Sequence, residues 1–290
     1  MKKVPISLII DDGSPFCDIT EFCDIIKAYG VKGKYSVIPM PSCKGDIING
    51  VEGIPEEQLR GWIEKVKTDI MPVFDICPEI LTHSNAYDIE TGGFFEQDEK
   101  HWVDAQTRET LTPYIALAIK LLHKAELTPT GVTSPWDAGI GCEEEYGYAI
   151  AGAFDRVLGV KKSWYFLHTN STNLGNEPKV VIRDGDRIVI SVSSTVRDYF
   201  WQTMECEESS DEYVNSIADL YITADGKSGQ IIEEIKIGSP IVMLTHVQSL
   251  DSCGRRTGMK AFRLVCERID KYLKDKVEWI DFTALIKDLN

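Results

Sequence analysis

Apolar and polar positions along the chain follow two rhythms that exchange every ten to twenty residues. The stretch VPISLII, residues 4–10, is almost continuously apolar and predicts a buried strand. Residues 19–29, ITEFCDIIKAY, put Ile19, Phe22, Ile25 and Ile26 on one helical stripe, and Gly30 supplies a stop. GKYSVIP predicts a second strand, and PEEQLRGWIEKVKTDI a helix opened by Pro55 with acids in its first turn. EILTH, residues 79–83, predicts a third strand, followed by a long polar loop from Ser84 to about Gln106. ETLTPYIALAIKLLHKAEL is the clearest helical pattern in the chain. TGVTSPW (strand), EEEYGYAIAGAFDRVLG (helix) and SWYFLH (strand) follow it.

The middle is less regular. VVIRDGDRIVISVSS carries Asp184–Gly185 between two β-rich runs, which predicts a hairpin. Residues 209–236 are mostly helical and polar. SPIVMLTH predicts a late buried strand, GMKAFRLVCERIDKYLKD a helix, and VEWIDF a last strand before a short helix. Strands alternating with helices predict an α/β fold with a mainly parallel sheet. Some seven such units in 290 residues favour a barrel over an open sheet, with residues 1–290 forming one domain. No repeat, linker or low-complexity segment interrupts the pattern.

Composition narrows the function. Lys and Arg total 31 against 46 Asp and Glu, a formal charge of −15. Such a surface repels phosphate backbones and anionic lipids, so neither nucleic acid nor membrane is expected as a partner. No apolar run reaches membrane-spanning length. The eight cysteines are scattered without a C-x-x-C pair, and the apolar start ends in Asp11–Asp12 without a small-residue cleavage site. Free thiols in a reducing cytoplasm are the expectation; the oligomeric state is not legible.

Three apolar strands end in polar groups: Asp11–Asp12, His83–Ser84 and His246. Adjacent carboxylates at a strand exit repel one another unless a cation compensates them. In α/β barrels the functional groups gather at the C-terminal ends of strands, so residues distant in sequence would converge. Two Asp and two His form an inventory suited to metal-assisted hydrolysis, with ligands, a base and an acid among them.

At these residues the chain resembles the polysaccharide-deacetylase (NodB-homology) family. Ile9–Ile10–Asp11–Asp12–Gly13 stands where the family has T-F-D-D-G, and His83–Ser84–Asn85–Ala86 where it has H-S/T-x-x-H/D. Thr133–Ser134–Pro135–Trp136 stands for R-x-P-Y/F, and Met243–Leu244–Thr245–His246 for the last strand with its histidine. The matches run from residue 6 to about residue 250, so the resemblance covers most of the chain. It implies a distorted (β/α)7, TIM-like barrel that removes acetyl groups from carbohydrates. It assigns Asp11 as general base, His246 as general acid, Asp12 and His83 as ligands of a divalent metal, zinc in the first instance, and Trp136, Ser134 and Tyr87 as substrate contacts.

Two departures accompany the matches. The family's third ligand falls four residues after the first His, at Tyr87, with Asp88 one further on. Asp88 is the expected third ligand, reached through a non-helical loop. Thr133 replaces the motif's Arg, which would pair with the base. The leading expectation is a metal-dependent deacylase acting on a carbohydrate or small N-acyl compound. The alternative is a barrel of the same fold that binds carbohydrate and has lost catalysis. A metal-free glycosidase fits less well, because adjacent carboxylates on one strand end cannot flank both faces of a sugar. Each residue also has a plainer role open to it. Asp11–Asp12 would then cap a turn, His101 would be a solvated loop group, His123 a helix-surface group, and His168 a structural strand end. Most aromatics, such as Phe94, Phe95, Trp102, Tyr199, Phe200 and Trp201, would be packing residues, although rings beside a barrel mouth can stack on sugars.

Overall fold

The computed structural model describes residues 3–167 and 174–290; His168 lies outside them. Seven strands set the frame: Val4–Gly13 (β1), Gly33–Val37 (β2), Phe74–Pro78 (β3), Gly131–Thr133 (β4), Lys162–Phe166 (β5), Arg187–Ser191 (β6) and Ile241–His246 (β7). β1 lies between β7 and β2, and β2 pairs with β3, all parallel. The register brings Asp11 beside His246 across the β1–β7 pair. β5 lies between β4 and β6, again parallel, and Lys179–Asp184 closes a hairpin onto β6 around Gly185. Isolated parallel bridges link the two groups: Ile76 with Pro129, Glu79 with Thr133, and Val196 with Met243.

Helices cover these strands. They include Thr20–Tyr29 (α1), Glu56–Lys65 (α2), Arg108–Lys124 (α3), Glu143–Leu158 (α4) and Thr257–Leu273 (α5). Ile6, Leu8, Ile9 and Ile10 are all buried, so β1 presents no face to solvent, as a parallel strand between packed layers requires. Phe22 of α1 stacks on Phe262 of α5 with ring centroids 5.9 Å apart, closing one core over β1 and β2. α3 and α4 pack their apolar faces into a second core with Val132 and Tyr165. α1 stops where Gly30 turns left-handed at φ 62° and its N–H reaches Ile26 O. The eight cysteines are all free, and no helix among the described residues is long and apolar enough to cross a membrane.

Two local expectations change. The third strand is Phe74–Pro78, not residues 79–83. Asp75 and Pro78 disguise it, although Asp75 is satisfied internally by Thr130 and Thr283. Residues 84–106 do not form one loop. Asn85–Asp88 pairs with Gly93–Asp98 as a hairpin, and Glu99–Asp104 is a short helix capped by Asp98.

Candidate active site

The site starts with a break in β1. Its register with β2 slips between Ile10 and Gly13, and Asp12 takes a left-handed backbone at φ 65°. Gly13 permits this turn. A Cβ there would stand 2.2 Å from Ser36 O and 2.5 Å from the Tyr35 ring. His83 and Trp136 are also left-handed, at φ 49° and 50°. Such conformations cost of order 1–3 kcal/mol each and gather at functional sites. Buried Glu99 holds the His83 turn: its carboxylate accepts the N–H groups of Leu81, Thr82 and His83 and the hydroxyl of Tyr114.

Asp12, Glu79 and His83 meet in a buried corner, with one donor atom from each within 4.8 Å of the others. His83 Nε2 stands 2.9 Å from Asp12 Oδ1 and 3.5 Å from Glu79 Oε1. Asp12 Oδ1 is buried and has no hydrogen-bonded partner, so the short approach of the imidazole is not aligned as a bond. Two donors about 2.1 Å from one ion stand about 3.0 Å apart at a right angle and about 3.4 Å apart at the tetrahedral angle. The separations of 2.9 and 3.5 Å lie close to that range. The remaining oxygens are occupied: Glu79 Oε2 accepts from Ser36 Oγ at 2.6 Å and from the Asp12 N–H at 2.7 Å, and Gln248 donates to Asp12 Oδ2.

Charge points the same way. Burial, reinforced by the charges of Asp12 and Asp11, pushes the Glu79 carboxyl well above the usual carboxylate range. Burial alone would lower the His83 imidazole, but Asp12 and Glu79 outweigh it and raise it. Asp12 shows the opposite balance: burial would raise it, and His83, His246 and Gln248 pull it down. With protons on Glu79 and His83, as these shifts favour, Lys34 and His83 balance Asp11 and Asp12, and a divalent cation replacing those two protons would keep the balance. The donor set therefore fits a divalent cation.

Asp11 stands beside this corner. Lys34, fully buried on β2, donates to Asp11 Oδ1 and, at 2.6 Å, to Thr133 Oγ1. Ser36 Oγ also reaches Asp11 Oδ1, at 3.2 Å. Opposite, His246 Nδ1 bonds Asp198 Oδ2 at 2.8 Å, and Ser249 Oγ donates to the same oxygen at 3.0 Å. Burial would lower the His246 imidazole, yet Asp198, with Asp11 and Asp12, lifts it to about 9. A cleft of about 230 Å³ is lined by Asp11, Asp12, Glu79, His83, Trp136 and His246, among others. Trp136 is half exposed and lies 4.2 Å from the His83 ring, while Trp201 meets His246 edge-on at 5.0 Å.

Of the residues singled out in sequence, Asp11, Asp12, His83, Ser134, Trp136 and His246 line this cleft. The Ser134 hydroxyl is committed to Tyr146 at 2.7 Å. Asp88 and Tyr87 are not brought to it. Asp88 closes the hairpin turn through Glu90 and Thr91, and Tyr87 packs on Phe94 at 5.3 Å. Glu79, not Asp88, stands third beside Asp12 and His83, because β3 ends one residue before it. His101 is exposed and paired with Asp98. Lys34, Glu79, Asp198 and Gln248 join the site without a motif of their own. A lysine inside the apolar run GKYSVIP and a carboxylate at the end of a strand were the signals available.

No protein-family model matches the sequence, and no curated protein matches it. Among solved structures, the GH57-type branching enzyme of Pyrococcus horikoshii is similar at TM-score 0.54 and 10% identity, over 99% of this chain and 70% of that one. A GH57 branching enzyme of Thermococcus kodakaraensis, in complex with glucose, is similar at TM-score 0.50 and 12% identity, over 100% and 72%. A peptidoglycan N-acetylglucosamine deacetylase is similar at TM-score 0.49 and 12% identity, over 98% and 88%. The first two likenesses show a shared fold.

Proposed function

We propose that the chain is a metal-dependent hydrolase that removes an acyl group, acetyl in the first instance, from a carbohydrate or related N-acyl compound. One observation carries the reading: a triad of metal-type donors, a separate carboxylate and a separate histidine line a single cleft. The bridges that join the two strand groups support one distorted seven-strand barrel as its frame, with the site at the C-terminal strand ends. The proteins of shared fold are described as branching enzymes, one bound to glucose, which suits a carbohydrate substrate.

Asp12, Glu79 and His83 would hold the divalent ion, zinc in the first instance, which supplies an acidified water and polarises the acyl carbonyl. Asp11 is the general base. Lys34 occupies its Oδ1, and Oδ2 receives the proton. His246 is the general acid. Asp198 holds Nδ1, which leaves Nε2 to protonate the departing nitrogen or oxygen, and the raised pKa keeps the ring charged at neutral pH. Trp136 and Trp201 line the cleft, their rings against His83 and His246.

Metal content of the purified protein and acetate release from N- and O-acetylated sugars test this reading together. One equivalent of divalent metal is expected, lost in Asp12→Ala, with acetate release lost in both Asp12→Ala and His246→Ala. Sugar binding without metal or acetate release would replace the reading with that of a carbohydrate-binding barrel without turnover. Tyr87 at the position of the family's third ligand and Thr133 at that of its arginine are the features that favour that second reading.

A further inference from the structure

A second cleft of about 380 Å³ is also lined by His246. It shares Trp201, Leu244 and His246 with the first, so the two adjoin at these side chains. Arg197, Asp198, Tyr199 and Gln202 complete its lining. The segment that displays them is pinned from beneath. Gln230 accepts the Arg197 N–H at 3.2 Å and donates to Thr195 O at 2.9 Å, while the buried Tyr221 hydroxyl accepts the N–H groups of Tyr199 and Phe200.

The two clefts differ in charge. The first is lined by Asp11, Asp12, Glu79 and Asp137. The second has one carboxylate, Asp198, and that is already bonded to His246 and Ser249. Its one cation besides His246 is Arg197, which is exposed. Among the described residues the Arg197 side chain makes no hydrogen bond or ion pair; only its backbone is engaged. A guanidinium left unpaired on a rigid loop presents a planar fork of donors that matches a carboxylate or phosphate. A chain of net charge −15 repels anions in general, so an anionic ligand needs such a local cation.

We propose that this second cleft is the leaving-group subsite, and that Arg197 selects a sugar bearing an oxyanion, either a phosphate ester or a carboxylate. The inference rests on the hydrolase reading: the group that His246 protonates would extend beyond Trp201 into this adjoining cleft. Tyr199 and Trp201 supply rings for the sugar face, Gln202 a polar contact, and Arg197 the charge.

Binding of glucose, glucose 6-phosphate and glucuronate to the full chain, measured by calorimetry at low salt, tests the proposal without requiring turnover. Inorganic phosphate is the control for charge alone. Either charged sugar is expected to bind at least tenfold more tightly than glucose, and which one wins identifies the oxyanion. Arg197→Gln is expected to abolish that preference while leaving glucose affinity and the melting temperature unchanged, and Arg197→Lys to keep part of it. Trp201→Ala is expected to weaken all three sugars alike. Equal affinity for charged and neutral sugars, a preference that survives Arg197→Gln, or inorganic phosphate binding as tightly as the charged sugars would overturn the subsite. Because no acetate is measured, failure of the hydrolase reading shows separately, as absent acetate release with the binding preference intact.

Discussion

Lys34 Nζ is bonded to Asp11 Oδ1 across two neighbouring strands, and no part of the lysine side chain reaches solvent. Thr133 occupies the position where the family resemblance has an arginine, and the same ammonium donates to the Thr133 hydroxyl. The cation comes from β2 instead of from the strand that ends in Thr133. Removing one member of a buried pair leaves the other charge uncompensated, at about 3–5 kcal/mol. Lys34→Met and Asp11→Asn are each expected to lower the unfolding free energy by about that much, and the double variant to recover most of it. Urea titrations of the four proteins give the coupling. In acetate release, Lys34→Met is expected to cost nothing further once Asp11 is Asn. Additive losses in both measurements would mean that Lys34 does not act through Asp11.

Glu79 and Asp88 offer a direct choice of third ligand. Glu79→Gln removes a carboxylate from the corner, whereas Asp88→Asn changes only a hairpin turn. Metal titrations are expected to show at least tenfold weaker binding for Glu79→Gln and no change for Asp88→Asn. A ligand at 100 times its Kd stabilises the folded state by about 2.7 kcal/mol. Saturating metal is therefore expected to raise the melting temperature of the wild type and of Asp88→Asn, and chelator to reverse the rise. At that concentration a site tenfold weaker gains only about 1.4 kcal/mol, so Glu79→Gln should respond about half as much or less.

Glu99 touches no part of the cleft and still governs it. Its carboxylate accepts three consecutive backbone N–H groups, ending at His83, together with the Tyr114 hydroxyl. An amide there would turn donors toward donors. Groups that orient a ligand from behind are worth 10–100-fold in metal affinity. Glu99→Gln is expected to weaken metal by about that factor and to lower stability, and Tyr114→Phe to do both more mildly. Unchanged metal affinity in Glu99→Gln would show that the left-handed turn at His83 holds itself.

Asp11, Asp12, His83 and His246 were legible because each ends an apolar run, and a polar group there must face a strand mouth. Glu79 was hidden by a shifted strand. With residues 79–83 read as a strand, its carboxylate belonged inside an element, while the true strand carried Asp75 and Pro78 and did not look apolar. The partners of Asp75, Thr130 and Thr283, lie 55 and 208 residues away, and no local pattern reports contacts at such separations. Lys34 and Asp198 are of the same kind: their meaning lies in Asp11 and His246, brought near only by parallel pairing and by a loop pinned on Tyr221. The hairpin at 85–98 is not legible because its strands are short and largely polar; the turn around Asp88 and Thr91, the Tyr87–Phe94 contact and the bond from Asn85 to Phe95 O hold it.

His246 supplies a pH dependence whose sign follows from its partners. Burial works against the imidazolium, but Asp198 at 2.8 Å, with Asp11 and Asp12 beyond it, raises the pKa from 6.5 to about 9. A raised folded-state pKa means that folding favours the proton-bound form. The contribution to stability is complete below the unfolded value near 6.5 and disappears as pH climbs through about 9. The melting temperature is therefore expected to fall between pH 6.5 and 9 in the wild type, and to fall less in Asp198→Asn, where the charge partner is gone. Catalysis reads the same proton: as general acid the ring must be charged, so kcat/KM is expected to drop above about pH 9. In Asp198→Asn, burial is no longer opposed by the nearest carboxylate, and that limb is expected to move to lower pH. A basic limb that stays in place in Asp198→Asn, while the melting curves respond as described, would assign the catalytic proton to a group other than His246.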